Sequence, residues 1–105
     1  MVHRHTRDWP PAERHGLTAQ VRRASHFAAA NIAEGAAVRG AREYRRHLNV
    51  SIGSLAEVGY ALQLARDLGY MSHERWGEME ALRDHAGHLT WGLHRAIGRR
   101  AASTI

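Results

Sequence analysis

The segment 41–68 carries apolar residues on two sides of one helix, and this limits what the chain can fold into. Tyr44, Leu48, Ile52, Leu55, Leu62 and Ala65 form one row. Val50, Ser54, Glu57, Ala61, Leu64 and Leu68 form a second row about 100° or more away. A helix that is apolar on two faces must be covered on two sides. It therefore sits centrally in a bundle or turns its second row to another copy of the chain, which makes Val50, Ala61, Leu64 and Leu68 the candidate oligomer-interface residues.

The flanking sequence supplies helical partners. Thr18 suits an N-cap, and Val21, Ala24, Ala28 and Ile32 then recur at helical spacing. Gly35 suits the left-handed residue just past a helix end. Gly40 and Gly69 bracket the second helix. Ser72 reads as the N-cap of a third helix, with Met71 and Trp76 placed as a hydrophobic staple. Trp76, Met79, Leu82, Ala86, Leu89, Leu93 and Ile97 form its expected buried stripe, and residues 99–105 an expected frayed tail. Short links at 35–40 and 69–72 make successive helices antiparallel. The fold class is all-α, an antiparallel up-and-down helical bundle. It forms one domain over 1–105, with 1–17 as N-terminal segment and loop and 18–100 as helical core. Pro10-Pro11 punctuate the N-terminal segment. Three helices are one apolar partner short, so something else must cover the second helix.

Several classes of chemistry find no footing. There is no cysteine, hence no disulfide and no thiol nucleophile. No apolar run approaches the ~18 residues of a membrane span, and 1–11 lacks the apolar stretch of a signal peptide, so a cytoplasmic protein without membrane contact is expected. No phosphate-binding glycine loop, activated nucleophile or close carboxylate pair is present; Glu57 and Asp67 stand nearly three turns apart. We expect no enzyme and no cofactor. The nine histidines include His85-x-x-His88 and His3-x-His5. Without a third ligand at fixed spacing they read as solvent-facing side chains, and no metal is expected.

Charge is the remaining signal. The net +5 lies in residues 1–50, with nine arginines against four acids; all fifteen basic residues are arginine. A basic half points to a polyanionic partner. Arg39, Arg42, Arg45 and Arg46 fall within eight residues opposed only by Glu43, and helical spacing turns Arg42 and Arg46 away from Tyr44 into solvent. A cation in the first helical turn is disfavoured by the helix dipole, and an external phosphate would relieve that. Arg22 and Arg23 on the preceding helix extend the candidate nucleic-acid surface. The intramolecular alternative pairs one of them with Glu57, which stands in an otherwise apolar row. Asn31 and Glu34 read as capping or inter-helix polar residues, and Phe27 as core rather than a base-stacking platform.

The pieces GLTAQVRRA (16–24), NIAEG (31–35), REYRRHLNVSIGSLAE (42–57) and LARDLGY (64–70), in this order and spacing, resemble the bacterial four helix bundle protein family. Its members include proteins encoded in 23S rRNA intervening sequences. A close relative is the accessory variability determinant of diversity-generating retroelements. The resemblance covers about half the chain; the third helix fits only in length and apolar pattern. It implies an up-and-down bundle assembled as a homopentamer. By the retroelement relative, it also implies a basic protein that binds RNA or DNA and partners a reverse transcriptase. A protein-interaction module docking on such an enzyme is the alternative function. The chain departs from the family in three places. Val2–Pro10 resembles only the last turn or two of the family's long first helix, through truncation or a start upstream of Met1. Gly40 replaces a capping Ser, and Val58-Gly59 stands where a second acid is usual.

Overall fold

The structure, a computed structural model, describes residues 6–7, 9–11, 16–38 and 40–103, with backbone alone for 101–103. Three helices follow one another: α1 (Leu17–Ala37), α2 (Ala41–Asp67) and α3 (His73–Ser103). No strand occurs among the described residues.

Local signals fix most of the boundaries. Gly40 at φ 92° turns the chain into α2, and Gly69 at φ 80° turns it out; the left-handed region is cheap only for glycine. Ser72 Oγ accepts the Arg75 N–H at 3.0 Å, so α3 is capped as its sequence suggests. Met71 is buried and Trp76 half-buried in one apolar cluster, which completes the staple.

Three boundaries differ from expectation. α1 begins after Gly16, and Thr18 is buried in its first turn instead of capping it. α1 also runs through Gly35 to Ala37, because that glycine serves close packing, as shown below. The last helix reaches Ser103, so the expected frayed tail is helical over most of its length.

The core gathers where the α1 N-terminus, the α2 C-terminus and the α3 N-terminus meet. Leu17, Val21, Ala24, Val58, Ala61, Leu62, Ala65, Met71 and Met79 are buried there, together with Trp9 from the N-terminal segment. Trp9 lies 6.2 Å from the Tyr70 ring, and the Arg66 guanidinium sits 4.2 Å over Trp76. Each fully buried Leu or Val stabilises the fold by about 1.5–3 kcal/mol.

α2 is the hub. α1 packs on α2 and α2 on α3, whereas α1 and α3 make no backbone approach to each other. They leave between them a cleft of about 450 Å³, lined by Ile32, Leu55, Leu82 and Ala86 among others. This explains two corrections. Leu82 and Leu89 are 50% and 61% exposed, because they project about 60–80° from Met79, off the buried line, and Leu82 borders the open cleft. The buried line of α3 passes instead through Met79, Thr90, His94 and Ile97. Ala61 is fully buried within the chain, so it cannot face a second copy.

Candidate nucleic-acid interface

Opposite the apolar core lies a polar end, where the α1 C-terminus, the α2 N-terminus and the α3 C-terminus come together. It is organised first by His47. Asn31 Oδ1 lies 2.9 Å from His47 Nδ1, while Asn31 Nδ2 donates to the Phe27 carbonyl at 2.9 Å. Glu34 approaches the same imidazole at 3.9 Å. A Cβ on Gly35 would stand 2.9 Å from His47 Cβ and 3.1 Å from the Tyr44 ring. The NIAEG segment is thus a helix-packing device: two polar side chains hold His47, and one missing side chain lets it in. Asn31 makes the inter-helix contact expected of it, but within a continuing helix. One turn on, buried Ser51 Oγ donates across the interface to the Ala28 carbonyl at 2.8 Å.

The arginines divide into separate groups. Arg42 and Arg46 are exposed on α2. Arg46 Nε donates to Glu43 at 3.1 Å, an exposed pair worth about 0.3–0.5 kcal/mol. Arg45 turns inward and lies across α3, where a Cβ on Gly98 would stand 3.0 Å from its Cζ. Its Nε is enclosed without a hydrogen-bond partner. Arg39 lies outside the described residues, as does His3-x-His5.

Arg22 and Arg23 do not join this group. They precede the end of α1 by about four turns, about 20 Å along the axis. Arg22 Nε donates to Thr6 Oγ1 at 3.0 Å, tying α1 to the N-terminal segment. Arg23 is exposed. Glu57 is also exposed, and no ion pair among the described residues links it to Arg22 or Arg23. The second row of α2 is too solvated there to require a counter-charge. Phe27, expected in the core, is 49% exposed beside His26, because α1 turns it away from α2.

Arg42, Glu43, Arg45, Arg46, Asn49 and His94 line a groove of about 550 Å³ between α2 and α3. His94 was not singled out by sequence reasoning, and neither was Gly98. Its ring is 7% exposed, neither nitrogen has a hydrogen-bond partner, and the Trp91 ring meets it edge-on at 5.3 Å. Burial, and then the neighbouring Arg45 charge, push its pKa below the usual histidine range.

Further along the interface, Arg83 of α3 crosses Gly59 of α2, where a Cβ would stand 2.9 Å from its Nε. This arginine is compensated. Glu80 accepts from Nε at 2.9 Å and also from a terminal nitrogen, Asp84 stands at 3.8 Å, and the Glu80 hydrogen bond raises the Arg83 pKa.

Among the described residues, no three His, Cys, Asp or Glu side chains are grouped to hold a metal ion. His88 is mostly exposed and 3.4 Å from Asp84. No described helix is long and apolar enough to cross a membrane.

A comparison with curated proteins finds no significant match. The sequence model of the 23S rRNA-intervening sequence protein family, in contrast, matches residues 1–92, reaching from the N-terminus well into α3. With an all-helical fold built on the matching α1–α2 pair, the chain belongs to the 23S rRNA-intervening sequence protein family.

Proposed function

We propose that the protein is a non-catalytic, self-associating helical scaffold that holds RNA or DNA by its phosphates at the polar end of the bundle. The observation that carries this reading is the α2–α3 groove. Three arginines border it, and the only carboxylate lining it among the described residues, Glu43, is already engaged by Arg46. Exposed guanidinium groups at a helix N-terminus favour phosphate oxygens without reading base sequence.

Self-association is supported by apolar surface on two elements. Val50, Leu64 and Leu68 on α2 are 42%, 38% and 52% exposed, and the cleft between α1 and α3 adds Leu82. Family resemblance makes a homopentamer the expected assembly.

The test is retention on immobilised RNA by the wild-type chain and by Arg42→Glu/Arg45→Glu/Arg46→Glu. The triple variant is expected to lose retention while keeping its helical circular dichroism. Wild-type affinity is expected to fall with log salt at a slope of about −0.7 to −0.9 per phosphate contact. Undiminished retention by the folded variant overturns the reading.

A further inference from the structure

Two arginines cross the α2–α3 interface over glycines, and they differ in one respect. Arg83 is answered by Glu80 and Asp84, whereas Arg45 has no carboxylate partner among the described residues and an enclosed, unpartnered Nε. Beside Arg45 stands His94, more than nine-tenths buried, with both ring nitrogens unpartnered and lining the same groove. Buried polar atoms in folded chains are almost always hydrogen-bonded, so two neighbouring exceptions on residues that line one groove point to something that completes them.

The available groups define its chemistry. Arg45 only donates, the His94 imidazolium would only donate, and the Asn49 amide adds donors. Arg42 and Arg46 bring further positive charge to the rim. A cation would meet three guanidinium groups, and an apolar group would leave the buried donors unsatisfied. A tetrahedral oxyanion has acceptors in several directions and carries the required charge.

We propose that this groove seats one phosphate group between Arg45 and His94. The proposal rests on the nucleic-acid reading for the source of the phosphate, not for the site itself. Binding is coupled to proton uptake. In the empty groove, burial and then Arg45 push the imidazole pKa down; a bound phosphate offsets that charge and accepts the N–H of the protonated ring. The other titratable or charged groups lining the groove are Arg42, Glu43, Arg45 and Arg46, all on α2. On its own helix His94 meets the Trp91 ring, and α1 makes no backbone approach to α3.

The experiment titrates inorganic phosphate into the full 105-residue chain and follows the His94 ring by NMR across pH. Phosphate is expected to saturate a His94 shift and to raise its pKa by about one unit, equivalent to about tenfold tighter binding to the protonated protein. Arg45→Gln and His94→Gln should each weaken phosphate binding, and Arg75→Gln, at the far end of α3, should not. Because the wild-type titration needs no variant, a poorly folding substitution leaves the test intact. A second arm compares a 5′-phosphorylated oligoribonucleotide with its 5′-hydroxyl counterpart. Tighter binding of the former supports a terminal phosphate in the seat, and equal binding with the His94 shift supports an internal one. No His94 response in a chain that still retains RNA overturns the phosphate seat and leaves the nucleic-acid reading standing. A His94 response without RNA retention supports the seat and overturns that reading. Loss of both removes both.

Discussion

Arg45 and Gly98 meet across the α2–α3 interface as side chain against bare backbone, so close that a Cβ at residue 98 would stand 3.0 Å from the guanidinium carbon. Gly98→Ala adds helix propensity, worth up to about 1 kcal/mol, yet its methyl crowds the Arg45 guanidinium at 3.0 Å and shifts it from its place against α3. The expected outcome is unchanged or slightly raised thermal stability with weakened phosphate binding. Melting curves with and without phosphate check both halves.

Gly35→Ala should behave in the opposite way. The added methyl meets His47 Cβ and the Tyr44 backbone oxygen, neither of which is the loose end of a flexible side chain. Overpacking of this kind costs about 1–3 kcal/mol, more than the helix propensity returned. Chemical denaturation should show a clear loss, and a variant as stable as wild type would mean that α1 and α2 can separate there at little cost.

Asn31 and His47 should be energetically coupled. Removing either leaves a partly buried partner unsatisfied, at about 1–3 kcal/mol. A double-mutant cycle of Asn31→Ala and His47→Ala should give an interaction energy of about 0.5–1.5 kcal/mol. A value near zero would show that water replaces the contact.

His94 should make stability depend on pH. Its pKa is lower in the folded chain than the ordinary value of 6.5, so between those two values the unfolded chain binds more protons. Stability is then fully present above about pH 6.5 and falls as the pH drops toward the folded value. Wild type should therefore lose stability relative to His94→Leu as the pH falls through that window. A pH-independent difference would show that the ring is not held neutral.

Leu64→Asp with Leu68→Asp places charge in the exposed α2 row, and neither position belongs to the buried core. Light scattering should show a smaller assembly with unchanged helicity. An unchanged mass would move the interface to the α1–α3 cleft.

Sequence was most informative where the signal is local. Gly40, Gly69 and Ser72 act through their own backbone or the next turn, and they mark the α2 and α3 boundaries where expected. Gly35, Gly98, His47 and His94 act through a neighbouring helix. A glycine that ends a helix and one that admits a side chain look alike until the partner's register is known. A buried histidine likewise looks like a solvent-facing one, and His94 was hidden among nine. Leu82 and Leu89 misled for a related reason: helical periodicity reports an apolar face, but not whether a neighbour exists to cover it. The arginine run at 42–46 was legible as a charge cluster; that Arg45 alone turns inward was not.

That α1 and α3 each pack on α2 also sets how the chain can come apart. Outside the core that all three helices share, the polar-end halves of α1 and α3 can open from α2 separately, whereas α2 loses its surroundings only when both have left. Amide protons of α2 should therefore exchange with solvent last, through global unfolding, and those of the outer helices through separate partial openings.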